Sequence, residues 1–185
     1  FCEQFLSANG YKMIGMDHFA KPNDELFKAL ENGSLHRNFQ GYTTKGGADL
    51  LGVGLTSIGE GKRHYAQNFK DMPSYENAIE NGRLPFERGV LLDDDDELRK
   101  AVIMELMANF ALDIKKIEHE FKVDFFEYFK EDLELLGEYK DFVSVDKNAL
   151  KVGDTGVLLI RNIAMCFDAY MKNISDDKKV FSKTV

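Results

Sequence analysis

Five consecutive acidic residues, Asp93-Asp94-Asp95-Asp96-Glu97, constrain this chain more than any other feature. A run of like charge is tolerated where the unpaired N–H groups and the dipole of a helix N-terminus attract anions. Leu98, Val102, Ile103, Leu106, Met107 and Phe110 follow at helical spacing, so the run is expected to open a long amphipathic helix. On this reading the helix starts a second unit over residues 91–185, distinct from a first unit over residues 1–90. Charge divides the chain at the same place. Residues 1–90 carry 10 Lys and Arg against 11 Asp and Glu, and residues 91–185 carry 14 against 21. The acidic second unit repels phosphate backbones, so no nucleic-acid partner is expected. No run approaches the roughly 20 apolar residues of a membrane span, and none is expected.

In the second unit, further helices are expected near Asp113–Phe121 and Asp124–Leu136, then a hairpin over 142–152 and a closing helix over 154–171. Three helices, a hairpin and a last helix make a winged-helix-like arrangement. The first unit alternates short pieces: a helix ending at Asn9-Gly10, an apolar strand over 11–16, and helices over Asp24–Glu31 and Pro73–Asn81. Glycine-spaced extended segments cover 35–68, and 84–89 reads as a linker. The opening residues Phe1-Cys2-Glu3-Gln4-Phe5-Leu6 read as the interior of an amphipathic helix, so the chain is expected to be a piece of a longer protein. The tail from Asn173 is expected to be polar and to end in a segment, Phe181 to Val185, that docks back.

Polar residues suited to chemistry concentrate in the first unit. Asp17 and His18 follow the apolar strand, and His36, Arg37, Asn38, Gln40, Tyr42, Thr43 and Thr44 fall within nine positions. If the strand belongs to a parallel sheet, Asp17-His18 lie at its carboxyl end, where such folds place ligands. The residues alone leave two readings open, a ligand site or a decorated surface loop. Gly52, Gly54 and Gly59 lie in an apolar stretch that lacks the spacing of a dinucleotide fingerprint and reads as a bulged strand. His64 and His119 are isolated, with no metal-ligand spacing. Phe121, Phe125, Phe126 and Phe129 recur at helical spacing and read as core, and Cys166 as a buried small residue. Cys2 and Cys166 stand at opposite ends, which points to a reducing cytoplasm and leaves too few thiolates for an iron-sulfur cluster.

The stretches from Gly10 to Ala20 (GYKMIGMDHFA), Leu35 to Thr44 (LHRNFQGYTT), Asp49 to Gly54, Tyr65 to Asn68 and Leu158 to Asp168 are similar to the oxygen-independent coproporphyrinogen III oxidases of the radical S-adenosylmethionine (SAM) class. The resemblance spans most of the chain. It implies an α+β fold: the end of a partial (β/α) radical SAM barrel followed by a mainly helical, winged-helix-like C-terminal domain. It also implies a 4Fe-4S cluster on three cysteines and two SAM molecules in the full-length protein. The implied reaction decarboxylates two propionates of coproporphyrinogen III to vinyl groups, with an electron donor and an electron acceptor as further partners. By the same resemblance Gln40 and Ile58 border the second SAM. Arg37 and Arg161 are candidates to pair with substrate propionates, since guanidinium matches carboxylate bidentately; His36 and Tyr42 are their neighbours. The cluster cysteines are absent, so this chain alone is expected to be inactive and to partner the missing N-terminal part of the same protein. Two alternatives stand beside this reading: a radical SAM haem chaperone relative, and a non-catalytic winged-helix-like binding module. A severed enzyme half should expose apolar surface in residues 1–90, whereas an autonomous module should bury it.

Overall fold

The computed structural model describes residues 1–171, so the expectations for the tail beyond Asn173 lie outside the described residues. Helix α1 (Cys2–Ala8) leads into strand β1 (Lys12–Gly15), and β2 (His18–Ala20) returns beside it. The pairing is antiparallel, with Met13 opposite Phe19 and Gly15 opposite His18. This corrects the parallel-sheet placement of Asp17-His18: the chain reverses at once, with Met16 in the left-handed region at φ 44°. Helix α2 (Glu25–Glu31) starts where the Asp24 carboxylate accepts from the Leu26 N–H. The hairpin of β3 (His36–Asn38) and β4 (Gly41–Thr43) follows.

Strands β5 (Ile58–Gly61), β6 (His64–Asn68) and β7 (Phe86–Leu91) form an antiparallel sheet in sequence order, with helix α3 (Met72–Glu80) between β6 and β7. The expected linker over 84–89 is thus largely strand, because β6 offers its backbone to it from Tyr65↔Val90 to Asn68↔Phe86. The glycine-rich stretch is not the bulged strand expected. Up to Ser57 it is a loop that meets the sheet at the isolated bridge Leu50↔Glu60. Asn68 pins it: this buried side chain donates to both Gly52 O, at 3.1 Å, and Gly54 O, at 2.8 Å.

The acid run does what its charge requires. Helix α4 (Asp94–Asn109) opens with a capping box in which the Asp93 side chain accepts from the Asp96 N–H and the Asp96 side chain from the Asp93 N–H. Strand β8 (Ala111–Asp113), helices α5 (Ile114–Phe121), α6 (Phe125–Tyr128) and α7 (Lys130–Leu136), strands β9 (Val143–Val145) and β10 (Ala149–Val152) and helix α8 (Ile160–Met165) complete the unit. The hairpin is joined by β8 in a sheet ordered β8-β10-β9. The helix expected over 124–136 is interrupted at Phe129. Phe125, Phe129 and Phe167 meet at centroid distances of 4.9, 5.5 and 6.4 Å, while Phe126 turns outward. The closing helix is shorter than expected, with a 3-10 turn over Val157–Leu159 before it.

The content is mixed α and β, and among the described residues every strand pair is antiparallel and no barrel closes. Leu98, Val102 and Leu106 of α4 enter the principal core with Phe125, Phe129, Ile163 and Phe167. The other side of α4 meets the first ninety residues: Asn109 Nδ2 donates to Leu35 O at 3.2 Å, and Arg63 pairs with Asp94 at 2.7 Å. Arg99 clasps the core's edge. Its Nη1 donates to buried Asp132 and to Phe167 O, both at 2.9 Å, and its Nε to Asp95. Arg99→Met is expected to lower unfolding free energy by about 3 kcal/mol in urea titration, because it strips a buried carboxylate of its cation. The double variant Arg99→Met with Asp132→Leu is expected to recover most of that loss.

Candidate functional site

The β3–β4 hairpin organises the polar residues. Asn38 Oδ1 accepts the Gln40 N–H at 2.8 Å, which closes the turn, and Gly41 takes φ 124° there. Register sets Arg37 directly opposite Tyr42, so the two share a face. The Arg37 guanidinium lies 5.8 Å from the Tyr42 ring centre. The His18 ring meets Tyr42 edge-on at 5.0 Å, and Asp17 Oδ1 lies 2.8 Å from His18 Nδ1. The Tyr42 hydroxyl donates to Met107 O on α4 at 3.2 Å. Gly15 makes this approach feasible: a Cβ there would fall on the Tyr42 hydroxyl. Arg161 arrives from α8, its Nη2 3.9 Å from the Met16 sulfur. Arg37, Tyr42, His18 and Arg161, up to 143 residues apart in sequence, therefore gather about the β1–β2 turn.

Electrostatics suit a neutral donor beside cations. Burial pushes the Tyr42 phenol above its ordinary value; the Arg37 guanidinium offsets part of that and Asp17 adds to it. Arg37 Nε is buried without a hydrogen-bond partner. His36 departs from this group. Its ring lies against Gly46, where a Cβ would collide with it, and it faces a cavity of about 860 Å³ shared with Arg37, Lys45, Glu60 and Lys100.

Gln40 sits exposed at the hairpin tip, and Ile58 at the start of β5 opposite Gln67. Gln67 is braced in turn, donating to Thr56 O at 3.1 Å and accepting from Arg88 Nε at 2.8 Å. The tip and the sheet are joined by Phe39, whose ring packs edge-on against Tyr65 at 5.2 Å. Sequence reading missed Glu60, Tyr65 and Lys100, which meet between β5, β6 and α4. No spacing signal links them, because they pair across elements. Among the described residues no group of three or more His, Cys, Asp or Glu could hold a metal. Cys2 is exposed and Cys166 is buried, so the thiolate set does not fit an iron-sulfur cluster. No helix among the described residues is long and apolar enough to cross a membrane.

Residues 92–159 match the HemN C-terminal domain. The chain is 50% identical over 183 residues to the oxygen-independent coproporphyrinogen III oxidase of Helicobacter pylori strain 26695, covering 98% of this chain and 39% of that protein. To the enzyme of the same name from Escherichia coli K12 it is 48% identical over 170 residues, covering 91% of this chain and 37% of the relative. A solved structure described as "Coproporphyrinogen III oxidase (HemN) from Escherichia coli is a Radical SAM enzyme" superposes with a TM-score of 0.88 at 47% identity, covering 91% of this chain and 39% of that one. The chain thus spans about two-fifths of the length of these relatives.

The tyrosines give a pH signature. Tyr42 titrates higher folded than unfolded, and Tyr128 is pushed up to about 12 by its hydrogen bond to Asp95. As pH rises through about 10 the unfolded chain loses these protons first, so stability is intact below that value and declines above it. Tyr42→Phe and Tyr128→Phe are each expected to flatten the decline between pH 10 and 12, read from thermal midpoints across pH.

Proposed function

The chain corresponds to the C-terminal part of the oxygen-independent coproporphyrinogen III oxidases, and on that premise we propose that it supplies substrate- and SAM-binding residues to such an enzyme. The reaction is the oxidative decarboxylation of two propionates of coproporphyrinogen III to vinyl groups, giving protoporphyrinogen IX. The observation that carries the reading is the convergence of Arg37, Tyr42, His18 and Arg161 on one turn. One guanidinium beside a neutral phenol and a second against Met16 of the same turn suit an apolar macrocycle that bears carboxylates.

Arg37 and Arg161 hold propionates, Tyr42 stands beside Arg37, and His36 lines the adjoining cavity that Arg37 shares. Gln40 offers a side-chain amide at the hairpin tip and Ile58 an apolar wall on the sheet, a donor set that fits a nucleoside bearing an amino-acid head group, here the second SAM. SAM when bound supplies the 5'-deoxyadenosyl radical that removes hydrogen from the propionate β-carbon. The 4Fe-4S cluster finds no thiolate set in these residues and belongs to the N-terminal part, as does most of the first SAM site. An electron donor and an acceptor complete the system, and a cytoplasmic location fits two free thiols. Residues 1–90 act as the end of the catalytic barrel and residues 91–185 as the helical domain.

Surface composition favours this reading over an autonomous binding module. Leu51, Val53 and Leu84 of the first unit are between 73% and 86% exposed, whereas residues 94–167 close around their own core. Such exposed apolar side chains suit cover by further protein.

The test is anaerobic turnover of coproporphyrinogen III, with SAM and a reductant, by a longer polypeptide that includes the upstream part. Wild type is expected to form protoporphyrinogen. Gln40→Ala is expected to lose at least about tenfold in rate, the cost of roughly one hydrogen bond to a charged group, with iron content unchanged. Haem binding without turnover by a cluster-loaded wild type would instead favour the haem chaperone.

A further inference from the structure

Three side chains that lie outside the substrate group meet beneath the hairpin tip. Lys100 of α4 places its ammonium 2.7 Å from Glu60 Oε1 on β5 and 4.7 Å from the centre of the Tyr65 ring on β6. The Tyr65 hydroxyl donates to the same Glu60 oxygen at 3.4 Å. The Tyr65 ring also carries Phe39, edge-on at 5.2 Å and 83°, and Phe39 is the residue before Gln40. Glu60 stands two residues after Ile58, on the same face of β5 because strand side chains alternate. A line of contact therefore runs from α4 through Lys100 and Tyr65 to Phe39, the residue before Gln40, and through Lys100 to Glu60, two residues beyond Ile58 on its strand.

The electrostatics make Lys100 the controlling member. The Glu60–Lys100 pair is largely withdrawn from water, with side chains 12% and 24% exposed. Glu60 Oε2 is buried without a hydrogen-bond partner, so the carboxylate depends on Lys100 for compensation of its charge. Burial works to lower the Lys100 pKa, but the hydrogen bonds and charges of Glu60 and Tyr65 outweigh it and hold the value above the ordinary one. The ammonium therefore stays charged at neutral pH. Ile58 is fixed within its own sheet by pairing with Gln67. Gln40 rides on a separate two-stranded hairpin, and the Phe39–Tyr65 contact joins its tip to that sheet.

We infer that Lys100 is a positioning residue that sets the spacing between Gln40 and Ile58, so that the helical domain governs occupancy of the second SAM site. The inference rests on the assignment of those two residues proposed above. Removing the ammonium releases the Tyr65 ring from one side and leaves Glu60 uncompensated, and the hairpin tip shifts relative to β5. Gln40 itself is chemically untouched by the change, which is why the effect is on geometry.

The test titrates SAM by calorimetry into the longer, cluster-loaded polypeptide and follows both sites together with iron content. Lys100→Met is expected to weaken the second SAM about tenfold, in line with losing a desolvated cation–π contact, while the first site and the iron stay unchanged. Lys100→Arg is expected to restore the second site, because a guanidinium can pair with Glu60 and stack on Tyr65. A merely structural role would weaken both sites together and would show no selective rescue. Tyr65→Leu keeps the ion pair and removes the ring; it is expected to weaken the second site likewise, and it serves if Lys100→Met fails to fold. Unchanged second-site affinity in Lys100→Met or in Tyr65→Leu, or equal weakening at both sites, overturns the inference. Gln40→Ala separates this from the underlying assignment. If Gln40→Ala also binds both SAM molecules as wild type does, the site assignment itself fails; if it weakens the second alone while Lys100→Met does not, only the positioning role fails.

Discussion

The structure depends on helix α4 being buried from two directions at once. One side gives Leu98, Val102 and Leu106 to the aromatic core; the other gives a backbone carbonyl to Tyr42, a side-chain amide to Leu35 and an ammonium to Glu60. Apolar burial provides most of the stabilisation on the first side. Directional polar contacts decide geometry on the second. A helix committed on both faces cannot rotate without losing one set, so the strands of the first unit inherit their placement from the packing of the second.

The acid run makes that commitment possible. Its capping box satisfies donors that would otherwise be orphaned at the helix start. It also supplies the partners that hold neighbours in place: Asp94 pairs with Arg63 and Asp95 with Arg99, and Asp96 accepts from Tyr170. The run that opens the helix thus also works as a junction. The strong negative charge of the second unit is spent partly on internal contacts.

Much of this was legible in the sequence. The long helix at Asp93, its periodic apolar face and the aromatic core all follow from spacing, because helices write their burial pattern locally. What was not legible depends on partners distant in the chain. The antiparallel return at Met16 turned a supposed parallel strand into a two-stranded ribbon, and β7 formed where a linker was read because β6 presented an open backbone. The glycine-rich loop is set by the Asn68 side chain, 14 and 16 residues away. In the candidate site, Arg37 and Tyr42 could be grouped from their closeness in sequence, but His36, their neighbour, lies against Gly46 in a cavity that Tyr42 does not line. Lys100 carried no signal at all, since its partners lie on other elements.

The fit of Gly15 against Tyr42 has a consequence for how such sequences can drift. The phenol occupies the space that any side chain at position 15 would need, and the same phenol ties the hairpin to α4. Position 15 is therefore not free to vary while residue 42 is a tyrosine. A side chain at 15 fits only beside a shorter residue 42, and a shorter residue 42 gives up the tie to the helix.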